Sequence, residues 1–308
     1  NVMIRGRDPG DYLGYPPEIA DLTGDGRDDL LVSAHLGDGP GNARFNAGEV
    51  YLLAGRAAWP ADIDLNVVTP ELEVVGADSS DGLGFVSGIE VVDVDLDNTP
   101  ELWLGASTAD GRTETAYSTG ELRAIRWPAI QSLVDLRSST DYLIYGDDAG
   151  DRFGKSLRSG RFFPGRSRSL IADSGNADGP SDSRIDSGTA FVFRPRSPLP
   201  AVQDNELGAA DLMIYGRLPS ARLGSRAIGD INGDGFDDMI LTEDIDHLTR
   251  RSAVLIVSPI DSDGDGWPQL SDNCPLVPNP TQADSNLDAR GDACSSDWDG
   301  DSIVDAED

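Results

Sequence analysis

Three short turns share one arrangement of oxygen-bearing side chains. Asp21, Thr23, Asp25 and Asp29 hold positions 1, 3, 5 and 9 of the first, with Gly26 at the bend and Arg27 at position 7. Asp93, Asp95, Asp97 and Glu101 repeat it, with Thr99 at position 7 and Asn98 in place of the glycine. Asp230, Asn232, Asp234 and Asp238 repeat it again, with Gly235 at the bend and Phe236 at position 7. Alternating oxygens followed by a backbone carbonyl at position 7 form the hard shell that Ca²⁺ takes and Zn²⁺ does not. A single copy would be an ordinary Asp/Gly hairpin turn. Three copies at matching places argue for ligand sets. A fourth equivalent stretch, 161–169, carries Arg161, Arg166 and Arg168 instead, and its charge would repel a cation. Three loaded turns and one empty one are expected.

The last fifty residues are denser still in carboxylates. Asp261, Asp263, Asp265 and Asp272 stand at positions 1, 3, 5 and 12 of a loop, with Gly266 at position 6 and Trp267 at position 7. Asp284, Asn286, Asp288 and Asp292 make a second loop with Arg290 at position 7. Asp297, Asp299, Asp301, Asp305 and Asp308 make a third with Ile303 at position 7. About six calcium sites are therefore expected, three in each part of the chain. Arg290-Gly291-Asp292 spells a cell-adhesion tripeptide, but Asp292 reads first as a loop ligand.

Charge narrows the function classes. The 308 residues include 55 Asp and Glu against 24 Lys and Arg, a formal charge of −31. Nucleic acid and an anionic membrane surface are poor partners for such a chain, and divalent cations are the obvious counter-charge. No run of 18 apolar residues or signal-peptide pattern occurs. The chain opens on Asn1, as expected of a processed protein or a cut piece. Its 2 His residues, His35 and His247, are too scattered for a metal or catalytic cluster. Many carboxylates fall in the acidic loops, where coordination would remove them from acid/base work, and neither His falls in a catalytic pattern, so an enzyme is not expected.

The turns sit in a repeat. Gly6, Gly76, Gly146 and Gly216 are 70 residues apart, each ending a short apolar run, and Gly14, Gly84, Gly154 and Gly224 keep the interval. Such a period means one structural unit written four times. Within each unit an apolar strand leads into the acidic turn, a second strand, a long loop, a third strand and a fourth. With 35 Gly and 19 Pro among short apolar runs, this predicts an all-β fold. Four strands per unit suit a four-bladed β-propeller better than a solenoid coil. Repeat four ends near Pro259 without a fourth strand, and NVMIRG is a fourth strand without a repeat. Residues 1–6 are expected either to close the ring or to complete a neighbouring molecule's blade. Tyr117, Trp103 and Trp127 read as core or strand residues rather than a sugar platform.

These features resemble the FG-GAP repeat of integrin α-subunit propellers over residues 1–259. The FG element is literal in Phe153-Gly154 and becomes Leu-Gly elsewhere, Gly105-Ala106-Ser107 stands for GAP, and the cation loop lies between them. Integrin propellers have seven blades where this chain offers four. Residues 260–308, with their DNCP…GDAC frame, resemble the thrombospondin type 3 repeat. That resemblance implies a calcium-wrapped, largely irregular tail with almost no apolar core, and a disulfide between Cys274 and Cys294 in an oxidising compartment. The last ligand candidate is Asp308 itself, so further repeats are expected beyond it.

Extracellular calcium modules bind with dissociation constants of about 0.1–1 mM. At roughly 10 mM calcium each site would add about 1.4–2.7 kcal/mol by mass action. Six such sites rival the ~5–15 kcal/mol stability of a domain. The reading is an extracellular, calcium-stabilised structural or adhesive protein working through protein–protein contacts, with a surface filament of its own copies as one form. The alternative is a glycan- or ligand-binding module of a secreted multidomain protein.

Overall fold

Short runs of Val, Ile, Leu and aromatic residues between Asp/Gly turns fold as strands of three to nine residues. The structure, a computed structural model, describes all residues except 16, 113–116, 128–131, 164–166, 206–207, 247–250, 260, 262, 268, 270–271, 287–289 and 296–308. Among the described residues the helical content is two single 3₁₀ turns, Pro40–Asn42 and Pro180–Asp182, at equivalent places in repeats one and three.

Strand β1 (Met3–Arg5) precedes the first repeat. Repeat one supplies β2 (Glu18–Ala20), β3 (Asp29–Ala34), β4 (Glu49–Leu53), β5 (Asp62–Asp64) and β6 (Leu72–Val75). Repeat two supplies β7 (Ile89–Val92), β8 (Glu101–Ala106), β9 (Glu121–Arg126), β10 (Leu133–Asp135) and β11 (Tyr142–Tyr145). Repeat three supplies β12 (Phe153–Gly160), β13 (Ser169–Ser174), β14 (Thr189–Phe193), β15 (Val202–Asp204) and β16 (Leu212–Tyr215). Repeat four supplies β17 (Gly224–Gly229), β18 (Asp238–Asp246) and β19 (Arg251–Val257).

Each of the first three repeats builds an antiparallel sheet, ordered β2-β3-β4-β6, β7-β8-β9-β11 and β12-β13-β14-β16, and the fourth stops at β17-β18-β19. The innermost strands β2, β7, β12 and β17 all contribute to one cavity of about 480 Å³, lined among others by Glu18, Glu90, Arg158 and Ile228. The apolar cores lie between successive sheets. One joins Leu31 and Val50 of repeat one to Leu102 and Leu104 of repeat two, and the next joins Trp103 and Leu122 to Leu157 and Phe191. A third joins Ile171 and Val192 to Met239 and Leu241. A smaller cluster around Tyr51 and Ile63 covers the other face of repeat one.

Short strands absent from the sequence reading hold the sheets in series. β10 of repeat two lies parallel on β6 of repeat one, with Val134 opposite Val74. β15 of repeat three lies on β11 of repeat two in the same way. β5 lies on β1, with Ile63 opposite Ile4, so β1 holds the place of an outer strand in the sheet before repeat one. An arginine from the preceding repeat's long loop clamps the two later latches: Arg44 Nη2 is 2.7 Å from Asp135, and Arg112 Nη1 is 3.1 Å from Asp204. Among the described pairings β19 bonds to β18 only and β1 to β5 only. Tyr117 departs from expectation, being 72% exposed, whereas Trp103 is fully buried.

The marker glycines answer to close backbone approach. A Cβ on Gly76 would meet the Ala47 carbonyl oxygen at 2.0 Å, and one on Gly216 the Ser187 oxygen at 1.9 Å. A Cβ on Gly6 would meet nothing closer than the Leu13 Cβ at 3.2 Å. Gly216→Ala is therefore expected to cost about 2–4 kcal/mol, while Gly6→Ala stays below about 1 kcal/mol. Thermal unfolding of the two variants at one calcium concentration checks this, and equal destabilisation would contradict it.

Candidate metal centres

The acidic turns form because their own backbone N–H groups need acceptors, and the first carboxylate supplies them. Asp21 accepts from Gly24 (2.8 Å) and Gly26 (2.9 Å). Asp93 accepts from Leu96 (2.7 Å) and Asn98 (3.0 Å), and Asp230 from Gly233 (2.6 Å) and Gly235 (3.0 Å). The position-5 carboxylate takes the N–H of position 7: Arg27 to Asp25, Thr99 to Asp97, Phe236 to Asp234. The position-9 carboxylate, at the start of the next strand, takes the N–H of position 2: Leu22 to Asp29 (3.0 Å), Val94 to Glu101 (2.9 Å), Ile231 to Asp238 (2.7 Å). Thr23 Oγ1 also bonds Asp29, at 3.3 Å, and Asn232 bonds Asp234. A turn, a strand start and a ligand set are thus one hydrogen-bonded object.

The tail uses the same scheme. Asp261 accepts from Gly264 and Gly266, both at 2.8 Å, and Trp267 donates to Asp265 at 2.8 Å. In the next loop Ser285 N donates to Asp292 at 2.8 Å, again position 2 to position 9. Asp284, Asn286 and Arg290 stand in that loop, whereas Asp288, Asp297, Asp299, Asp301, Ile303, Asp305 and Asp308 lie outside the described residues, as does Arg166. Cys274 and Cys294 form the disulfide, with Cα atoms 5.6 Å apart. The tail packs on repeat three, where the Arg194 guanidinium lies 4.3 Å from the Phe163 ring centre and 5.6 Å from that of Trp267.

Two of these sets converge most tightly. Asp93, Asp95, Asp97 and Glu101 bring oxygens within 4.8 Å of one another, and so do Asp261, Asp263 and Asp265. Among the described residues no other three acidic groups approach so closely, the first and fourth repeats' turns included. Fully buried Glu101 leaves Oε1 without a hydrogen-bond donor, as does Asp238 with Oδ1, and in the tail Asp263 Oδ2 and Asp272 Oδ2 are likewise unpartnered. A buried carboxylate oxygen without a donor is costly unless a cation meets it. The residues present therefore fit hard divalent cations. Burial, followed by repulsion from Asp95, Asp93 and Asp97, pushes the Glu101 carboxyl up to about 7. Burial acts the same way on Asp95, but the Tyr142 hydroxyl (2.6 Å) and the Arg126 guanidinium (Nε at 2.9 Å) outweigh it and hold that carboxyl low. Asp95 is thus half committed to protein partners, which the sequence reading of a simple ligand missed.

The basic turn of repeat three is docked onto its neighbour. Arg161 N donates to Asp237 Oδ2 and Asp237 N donates back to Arg161 O, each at 2.8 Å, while the Arg161 guanidinium reaches the Gly235 carbonyl. Sequence reasoning also missed Glu18 and Glu90, which line the central cavity; burial raises both, Glu90 to about 7.

A model of the FG-GAP repeat matches residues 18–53, the span from β2 through the first turn to the end of β4. A model of the thrombospondin type 3 repeat matches 260–282 and 283–308. The chain carries both kinds of repeat. Thrombospondin-2 of Gallus gallus is 43% identical over 58 residues, 15% of this chain and 5% of that protein. Integrin alpha-PS2 of Drosophila melanogaster is 42% identical over 52 residues, 16% of this chain and 4% of that one. Phosphatidylinositol-glycan-specific phospholipase D of Rattus norvegicus is 30% identical over 171 residues, 52% of this chain and 20% of that one. The chain thus spans a fifth or less of these relatives. FG-GAP and thrombospondin type 3 repeats are units of adhesive and structural proteins, and the third relative carries the name of an enzyme.

Glu101 gives the second turn a pH signature. In the ion-free fold it keeps its proton up to about pH 7, where the unfolded chain has lost it, so its contribution to stability is present at low pH and fades as pH rises through 7. Calcium needs the deprotonated form, so affinity at this turn is expected to fall about tenfold per pH unit below 7, with one proton released per ion bound. Calorimetry near pH 6 in two buffers of different ionisation enthalpy reads the release directly. Glu101→Gln should abolish it; an affinity indifferent to pH would refute the assignment.

Proposed function

We propose that this chain is an extracellular, calcium-stabilised structural or adhesive protein whose four repeats form the blades of a propeller and whose tail is wrapped around further calcium ions. Asp21, Asp25 and Asp29, the 93–101 set, and Asp230, Asp234 and Asp238 hold the propeller ions; Asp261, Asp263, Asp265 and Asp272 hold the first tail ion. Calcium supplies charge neutralisation at these turns, and the chain's own N–H groups orient the carboxylates toward it. The protein has no reaction to catalyse, and its partners are other proteins, copies of itself first among them.

The observation that carries this reading is a pair of complementary loose ends. Among the described residues β19 is an edge strand, paired only with β18, whose Val254 and Ile256 are 66% and 53% exposed. Among the described pairings β1 bonds only to β5, and Val2 and Met3 are exposed. An apolar edge of unpaired N–H and C=O groups is a template for strand addition. β1 of one copy fits β19 of the next, a heterologous contact that propagates when it does not close. The alternative of a glycan- or ligand-binding module is favoured by a cationic cavity beside the channel.

Sedimentation velocity in millimolar calcium is expected to show assemblies that collapse on chelation. Ile256→Lys, or removal of residues 1–5, should leave single chains that still bind calcium. A monodisperse single chain in calcium would defeat the self-assembly reading, and assemblies indifferent to Ile256→Lys would defeat the strand-exchange contact.

A further inference from the structure

A second cavity, of about 510 Å³, opens between β12, β17 and β18, next to the central one. Five cations line it: Arg152, Lys155, Arg158, Arg222 and Arg226. Lys155 is the only lysine in a chain of charge −31. Most described arginines elsewhere are paired with carboxylates within 4.0 Å, as in Arg7–Glu73, Arg44–Asp135 and Arg126–Asp95, while Arg161, Arg184 and Arg194 meet carbonyls or rings instead. Among the described residues none of these five has such a partner. Arg226 bonds only the Thr242 hydroxyl at 2.8 Å, and Arg158 only the Leu157 carbonyl. Burial, then repulsion from Arg152, Arg222 and Arg226, lowers the Lys155 ammonium, as expected of charges crowded on one space.

Three carboxylates share the lining, and two are already engaged. Glu243 is paired with Arg217, and Asp244 accepts from the Ser252 hydroxyl at 3.0 Å. Asp173 is different. It is only 4% exposed; its Oδ2 accepts from Ser225 N (2.7 Å) and Oγ (2.8 Å), and its Oδ1 has no partner. The cavity therefore offers a concentration of cation sites and one buried acceptor in want of a donor. A bare anion answers the first and not the second.

We propose that this cavity binds an acidic saccharide, with a carboxylate or sulfate group among Arg152, Lys155, Arg222 and Arg226 and a hydroxyl donating to Asp173 Oδ1. Arginine forks suit both anions by paired hydrogen bonds, and a volume of this size holds one or two sugar rings. The site involves neither the acidic turns nor the β1–β19 edge, so it stands or falls separately from the assembly reading.

Calorimetric titration of the intact chain in millimolar calcium tests it, with sodium glucuronate and glucose 6-sulfate as acidic sugars and glucose and inorganic sulfate as controls. Saturable binding of either acidic sugar is expected, tighter than inorganic sulfate and absent for glucose, and the better of the two identifies the anion. Lys155→Gln and Arg222→Gln should each weaken it about tenfold or more. Arg222 is exposed, so that variant should fold normally, with circular dichroism as the check. Asp173→Asn, near-isosteric, should weaken the acidic sugar and leave sulfate unchanged. No saturation with either sugar, sulfate binding as tightly as both, or binding indifferent to Lys155→Gln and Arg222→Gln would overturn the proposal.

Discussion

Carboxylate repulsion is the constraint around which this molecule is organised. With 55 acidic side chains against 24 basic ones, a compact fold crowds like charges that an open chain would keep apart. The structure meets this in three ways. Turn carboxylates such as Asp21 and Asp230 are satisfied by backbone N–H groups one turn away. Others are clamped by arginines from a different repeat, as Asp135 is by Arg44. The remainder, with Glu101 at the centre, are left facing one another, with buried oxygens that no donor among the described residues reaches. For this last group, binding of a cation would be coupled directly to folding.

Apolar packing then runs along the series of repeats rather than inward to one centre. The three larger cores are each shared by two consecutive sheets, so the middle repeats share a core on either side, while the other face of repeat one is covered only by a smaller cluster of its own residues and β1. Stability in such arrays is a sum of unit and interface terms. It also explains why the exposed apolar residues of β1 and β19 collect at the two ends.

What the sequence made legible is what recurs in it. The 70-residue interval, the sheet-forming runs and the acidic turns are each written several times, and a local pattern repeated at one spacing survives noise that would hide a single copy. The match to the two repeat families rests on the same short stretches. The latches β5, β10 and β15 were not legible: each is three residues long, with one buried side chain in the first two (Ile63, Val134) and none in the third, and their partner strands lie about 60 residues away. Nor was the second coordination of Asp95, which depends on Arg126 and Tyr142 arriving from two later strands. The basic cavity was invisible for the same reason, because its cations come from separated segments and look, one at a time, like ordinary surface arginines. The placement of β1 on β5 rather than beside β19 followed from pairing, which an isolated apolar run does not reveal.

The latches carry a mechanical consequence. Because β10 covers the outer edge of repeat one and β15 that of repeat two, each sheet's last strand is held down by chain that comes after it. A pull on the C-terminal end passes through the tail to repeat four, whose β19 bonds only to β18 among the described residues, and each repeat that yields uncovers the edge of the one before. The parallel pairs are loaded along their length, so their hydrogen bonds resist together rather than one by one. Tension would thus take the molecule apart in a fixed order, as a row of overlapping shingles lifts only from its free edge.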